Sequence, residues 1–238
     1  MFIEAKNISK VIKNNTILNN VKVSLNENNI YGLLGPNGAG KTSLFSILSG
    51  LNQPSKGEIY FDSLKVNELN FEERSNLGII YLPQEPSVFR ELTVKQNILA
   101  ALEAKKSNKV DKKIILEKIS LEFNLENILL QKCDTLSGGQ RRRVEIARAV
   151  ALEPKFILLD EPFAGIDPLV ISEIKDLIKN LKSKGIGILI SDHNVKATLD
   201  ICDHIYVINV GEIIASGSPE EIIKNDLVKK VYLGDVYS

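Results

Sequence analysis

Two glycine-rich stretches in this chain have the composition and spacing to cradle phosphate. The first, Gly35-Pro36-Asn37-Gly38-Ala39-Gly40-Lys41-Thr42, followed by Ser43, fits the pattern G-x-x-x-x-G-K-[ST]. Its glycines let backbone N–H groups curl toward phosphate oxygens, and a helix starting there adds its positive end. Lys41 would reach the β- and γ-phosphates, and Thr42 would offer its hydroxyl to Mg²⁺. The second stretch, Leu136-Ser137-Gly138-Gly139-Gln140, opens a helical pattern carrying Val144, Ile146, Ala147, Val150 and Ala151. Its N–H groups and the Ser137 hydroxyl form a second anion cradle. Arg141, Arg142 and Arg143 fall in the first turn, where cations oppose the helix dipole by about 0.3–1 kcal/mol. That placement fits a solvated face, or an anion that neutralises the helix end. Two cradles in one chain imply either two nucleotide sites or one site shared between two chains.

Phe156-Ile157-Leu158-Leu159-Asp160-Glu161 is an apolar strand pattern ending in two carboxylates, at the strand end where open α/β sheets bind ligands. Neighbouring residues of an extended chain point to opposite sides, so the two acids have different tasks. Asp160 is the candidate magnesium partner, and Glu161 could orient or deprotonate an attacking water. Gln84 and His193 each follow another strand pattern, which puts both on the rim where the phosphates would lie.

The elements that must hold these groups can be read from hydrophobic period. Residues 30–34 are a short apolar run leading into the first glycine loop, and 41–49 read as a helix closed by Gly50. Residues 78–82, 156–159, 186–190 and 205–208 have the β-branched-rich apolar character of strands buried on both faces. Helical patterns at 169–182 and 195–201 separate the later ones, implying a parallel sheet with helices on both faces. Residues 2–8 and 17–25 read as an antiparallel pair around an Asn-rich turn, with 58–61 as a candidate third strand. Between Gln84 and Glu153 only helices are expected, at 93–106, 111–123 and 139–152.

At 238 residues, with 44% hydrophobic and 25% charged residues, the composition is that of an ordinary globular protein. Acids and bases balance at 30 each, which gives no field drawing the chain to nucleic acid. Cys133 and Cys202 have no metal-type spacing and read as reduced thiols. The first residues lack a basic segment followed by an apolar run, and no apolar stretch approaches the ~18 residues that span a bilayer. The expectation is a cytoplasmic chain whose membrane work falls to a partner.

Taken in this order, the stretches resemble the nucleotide-binding subunits of ATP-binding cassette (ABC) transporters, over essentially the whole chain. The resemblance implies an α/β fold: a P-loop NTPase core of RecA-like, ABC type with a mainly parallel sheet, an N-terminal antiparallel β subdomain and an inserted helical subdomain. Residues 1–238 would form one nucleotide-binding domain, with 1–86 and 154–238 as core and β subdomain and 87–153 as the helical subdomain. Gly35 to Ser43 would serve as the Walker A loop, Gln84 as the Q-loop, Leu136 to Gln140 as the signature and Phe156 to Asp160 as Walker B. Glu161 would be the catalytic glutamate, Asp167 would close the D-loop Ala164-Gly165-Ile166-Asp167, and His193 would be the switch histidine. Thr42, Gln84 and Asp160 would attend Mg²⁺. ATP on one Walker A loop would be covered by Ser137 and Gly139 of a second copy, flanked by Gly138 and Gln140.

Longer strings, including Tyr81-Leu82-Pro83-Gln84-Glu85, Asp192-His193-Asn194-Val195 and Val231-Tyr232-Leu233-Gly234, are similar to the lipopolysaccharide-export branch of the family. That likeness implies a homodimer on the cytoplasmic face of the inner membrane, joined to two transmembrane subunits (LptF and LptG) and an LptC-like protein. Phe89-Arg90 matches the segment that helps receive their coupling helices. Two positions depart from the pattern. Ile12 stands where an aromatic residue usually stacks on adenine, removing roughly 0.5–1.5 kcal/mol of stacking, and Gln140 stands where that branch is expected to carry Glu. A branched-chain amino-acid importer ATPase is the alternative within the family. A soluble ABC module in DNA repair or translation ordinarily carries a coiled-coil insertion or tandem cassettes, and the intact Asp160-Glu161 pair speaks against a non-hydrolysing nucleotide sensor.

Overall fold

The computed structural model describes residues 1–104 and 109–234. Strands β1 (Phe2–Ile12) and β2 (Asn15–Asn26) form a hairpin whose tip, Lys13-Asn14, has φ of 47° and 70°. Two left-handed residues in a two-residue turn match the twist of the strands they join. β4 (Lys56–Phe61) and β5 (Leu64–Lys65) complete an antiparallel sheet in the order β2-β1-β4-β5.

The second sheet runs β10-β9-β3-β8-β7-β6. Its strands β3 (Ile30–Leu34), β6 (Ile79–Leu82), β7 (Phe156–Asp160), β8 (Gly187–Ser191) and β9 (His204–Asn209) are parallel, and β10 (Glu212–Gly217) returns antiparallel on the β9 edge. Alternate residues enter two separate cores. Ile30, Ile157, Leu159, Ile188 and Ile190 face the helices α3 (Val94–Ala104), α4 (Lys109–Glu122), α5 (Gly138–Ala151), α6 (Pro168–Ser183) and α7 (Val195–Leu199). Tyr31, Leu33, Phe156, Leu158 and Leu189 face α1 (Lys41–Ser49) and the antiparallel sheet. This double burial is why these strands read as continuous apolar runs.

Strand β3 and helix α1 have the bounds their sequence predicts, and no strand lies between Gln84 and Glu153 among the described residues. The end expected for α3, Lys105 and Lys106, lies outside the described residues. Sequence periodicity gave no sign of β5, α2 (Phe71–Asn76), β10, α8 (Pro219–Lys224) or α9 (Asp226–Val228), which runs into a π-turn at Lys229–Leu233. No helix among the described residues is long and apolar enough to cross a membrane.

Candidate nucleotide site

The ends of β3, β6, β7 and β8 open on one edge of the sheet, and each carries one of the chemically active stretches. After β3 the chain turns through Gly40 at φ 107°, directly before α1. A Cβ at Gly40 would lie 2.7 Å from Leu18 and 2.9 Å from the Ile17 carbonyl, so glycine is required there. At Gly38 an added Cβ would meet nothing within 4 Å: the crest of the loop faces open space. Lys41 Nζ donates to the carbonyls of Gly35 (2.7 Å) and Pro36 (3.0 Å), folding the ammonium back into its own loop. Burial lowers its pKa, opposed by the charges of Glu161 and Asp160. The adjoining cavity, about 490 Å³, is walled by Ile17, Asn37, Lys41, Thr42, Glu161 and His193, with Gly38, Gly40 and Ser43 at its floor.

Asp160 ends β7 and is only 3% exposed. Its carboxylate accepts from the Tyr81 hydroxyl at 3.3 Å and lies close to the Thr42 hydroxyl. Burial raises its pKa; the two hydroxyls and the Lys41 charge pull the other way. Glu161 corrects the alternation expected from the sequence. It has left the strand at φ 48°, a left-handed conformation that is strained for a residue with a Cβ, and its N–H donates to the Ser191 carbonyl at 2.6 Å. The turn, and not the pleat, separates the two acids. Glu161 Oε1 lies 2.8 Å from Nε2 of exposed His193. Asp192, overlooked in the sequence, locks this arrangement: its carboxylate accepts from the N–H of Phe163 and of Asn194, both at 2.8 Å. Burial raises its pKa, against those two backbone hydrogen bonds. The D-x-N spacing of an Asx turn was the available signal.

Gln84 is exposed and lines a neighbouring cavity of about 180 Å³ together with Gly138, Arg142 and Glu161. Glu161 therefore belongs to both cavities, whereas Gln84 is not a wall of the Lys41 cavity. Ser137 caps α5: its Oγ accepts from Gln140 N–H at 3.3 Å, while Gln140 Oε1 accepts from Ser137 N–H at 3.0 Å. This is the S-x-x-Q capping box, and it leaves the hydroxyl proton of Ser137 free to donate elsewhere. Gly139 packs on α6, where a Cβ would fall 2.3 Å from Val170. None of the residues 137–140 lines the Lys41 cavity, so one chain does not join its two cradles. Asp167 caps α6 by accepting from Leu169 N–H at 2.9 Å. Ile12 sits half-exposed at the hairpin tip opposite Asn15, outside the walls of the cavity, while Ile17 of the facing strand, not singled out from sequence, lines it.

Arg142 departs from the solvated face that is one of the two readings of the arginine triplet. It is 6% exposed, pairs with buried Glu145 at 2.9 Å and donates to the carbonyl of Asp160 at 3.3 Å. Glu145 also accepts from Ser87 N–H at 2.7 Å. The pair thus ties the end of β7 to the segment after Gln84 and to α5. Beyond that segment runs an apolar groove of about 580 Å³, bounded by Leu51, Phe71, Leu82, Phe89, Ala101 and Arg148. The Arg148 guanidinium lies 4.7 Å over the Phe89 ring.

The sequence profile of the ABC transporter family matches residues 18–164, and a short profile of branched-chain amino acid ATP-binding cassette transporters matches 212–238. The chain is 46% identical to the lipopolysaccharide export system ATP-binding protein LptB of Haemophilus influenzae, over 98% of this chain and 97% of that protein. Among solved structures, an ATP-binding cassette of an ABC transporter in its ADP conformation superposes with a TM-score of 0.88 at 29% identity, covering 98% of this chain and 99% of the other. A dimeric cassette in a post-hydrolysis state, bound to ADP and Pi, superposes with a TM-score of 0.81 at 26% identity, covering 91% and 98%.

Proposed function

The chain belongs to the ABC transporter family of ATPases, and from that premise we propose that it is the Mg²⁺-dependent motor of a lipopolysaccharide exporter, working as a homodimer on the cytoplasmic face of the inner membrane. The observation that carries the hydrolytic part is the meeting of Lys41, Thr42, Glu161 and His193 around one cavity, with Asp160 close behind Thr42. ATP and Mg²⁺ fit these residues. The loop crest is open, the Lys41 ammonium is bonded only to loop carbonyls that a phosphate can replace, and Thr42 beside Asp160 offers the oxygen donors a hard cation takes. Bound there, Mg²⁺ would neutralise charge developing on the β- and γ-phosphate oxygens.

The remaining work falls to side chains. Loop N–H groups and Lys41 hold the phosphates. Glu161, aimed by its left-handed turn and by the Ser191 carbonyl, accepts the proton of the attacking water. His193 fixes the Glu161 carboxylate, and Asp192 fixes the loops of both. Ser137 and Gly139 of a second copy complete the site, since those of the same chain stand elsewhere. Gln84 reaches this assembly from the cavity it shares with Glu161. Residues 1–86 with 154–238 act as the nucleotide-binding core and 87–153 as the moving helical part. The groove beside Phe89 receives the coupling helices of LptF- and LptG-like subunits, with an LptC-like protein attached.

The match over 212–238 supports a second reading, a branched-chain amino-acid importer ATPase. It covers a short tail, whereas likeness to the lipopolysaccharide-export protein runs nearly end to end. Solubilised membranes decide between them: the export reading expects two lipopolysaccharide-transport membrane proteins to co-purify with this chain, and capture of importer permeases would overturn it. Glu161→Gln should slow turnover by about 10²–10⁴-fold and leave a persistent ATP-bound dimer. A variant turning over at the parental rate removes Glu161 from its role.

A further inference from the structure

Among the described residues Arg74 is the largest side chain that is fully buried, and no part of the proposed chemistry uses it. It stands in α2, the short helix between the antiparallel sheet and β6. All its acceptors are backbone carbonyls. Nη1 donates to Ile47 (2.6 Å) and Leu48 (3.0 Å), Nε to Leu69 (3.1 Å) and Nη2 to Asn67 (3.4 Å). Ile47 and Leu48 belong to the last turn of α1, whose negative dipole end favours a cation; the Ile47 carbonyl also accepts from the Gly50 N–H at 3.3 Å. Gly50 makes the room: a Cβ there would lie 3.0 Å from Arg74 Cδ and Nε. Burial without a carboxylate among those acceptors pushes the guanidinium pKa down to about 10, so this charge is held at a cost.

The two ends of α1 thus have complementary fixtures. The first holds Lys41 and Thr42 at the phosphate loop, and the last is stapled to α2. Helix α2 in turn exposes Phe71 and Ser75 to the apolar groove, alongside Leu51 just after α1. Arg74 lies behind that wall.

We propose that Arg74 is a positioning residue for ATP hydrolysis, the clasp that fixes α1 against the groove wall so that a partner seated in the groove sets how the loop presents Lys41 and Thr42. This rests on the reading of the loop as the nucleotide site and of the groove as the docking face. Displacing catalytic groups by about 1 Å costs on the order of 10²-fold in rate, so the effect belongs in kcat more than in KM.

The test compares the parental protein with Arg74→Met and Arg74→Lys, each first checked for a cooperative thermal transition. Mg-ATP turnover is then measured, together with equilibrium binding of a fluorescent ATP analogue. Arg74→Met should lose more than tenfold in kcat while analogue affinity stays within about threefold, and Arg74→Lys, which keeps a cation for the α1 carbonyls, should recover most of the loss. Parental kcat in a folded Arg74→Met protein overturns the clasp. If neither variant folds, amide exchange on the parental protein decides: ADP should slow exchange across 69–77, and unchanged exchange there overturns the clasp. Absence of Mg-ATPase activity in the parental protein, or parental activity in Lys41→Ala, instead overturns the nucleotide-site reading.

Discussion

Replacing Glu145 by Ala isolates the buried link between the end of β7, the segment after Gln84 and the helix that follows the second glycine cradle. Its side chain is 4% exposed, and that of Arg142 is 7%. Removing the carboxylate strands the Arg142 guanidinium on two long contacts, to the carbonyls of Asp160 at 3.3 Å and Pro83 at 3.5 Å. It also orphans the Ser87 N–H, now bonded at 2.7 Å. Breaking one side of a buried ion pair costs about 3–5 kcal/mol, because the remaining charge stays out of water. For a chain of this length that corresponds to a melting point lower by roughly 6–20 °C. The double variant Arg142→Met with Glu145→Ala removes the stranded charge and leaves chiefly the orphaned amide, worth about 1–3 kcal/mol. It should therefore melt above the single Glu145→Ala variant. Urea unfolding monitored by circular dichroism gives both values, and the cycle gives the coupling. A Glu145→Ala protein within about 1 kcal/mol of the parent, or strictly additive losses in the double variant, refutes the reasoning that this pair is desolvated and interdependent.

Two other outcomes follow from single positions. Burial raises the pKa of Asp160, so its folded carboxylate is penalised when ionised. Asp160→Asn should melt above the parent near neutral pH in the absence of divalent cation. That advantage is full above the folded pKa and fades as pH falls through the unfolded value near 3.8, below which both forms are neutral; the same variant should lose Mg²⁺-dependent turnover. A variant melting below the parent at neutral pH contradicts this. Ile12→Tyr should tighten ATP binding by about 0.5–1.5 kcal/mol, up to roughly tenfold, and raise the preference for ATP over GTP. Unchanged titrations of both nucleotides would remove Ile12 from the base subsite, leaving that wall to Ile17.

The sequence announces most of the candidate phosphate site because its parts are local. Gly40 and Lys41 are neighbours in one loop, and each acid, Gln84 and His193 sits just beyond an apolar run that is buried on both faces. What stays hidden depends on contacts between distant segments. The arginine triplet reads equally as a solvated face or as the seat of an anion, until Glu145 and the end of β7 close around Arg142. Arg74 sits in a polar stretch, and only the fold brings the α1 carbonyls to it. Glu161 reads as a strand residue, since nothing local reveals that the Ser191 carbonyl will draw its N–H into a left-handed turn. β10 follows Gly211 without a signal read from the sequence, because its antiparallel pairing on the β9 edge is a property of the whole sheet.

Because residues 137–140 do not line the Lys41 cavity of their own chain, the proposed site is one built by two copies. Mixing Ser137→Arg chains with Lys41→Ala chains tests this directly. Each variant alone should be inactive, because every site in its homodimer lacks either the signature or the lysine. In a mixed dimer one of the two sites combines Lys41 of the first chain with Ser137 of the second and is intact. With random pairing at equal concentrations, Mg-ATPase activity should return to about one quarter of the parental rate. Activity that stays at background in the mixture, with mixed dimers shown to form, or a Ser137→Arg chain that hydrolyses ATP at the parental rate alone, contradicts the shared site.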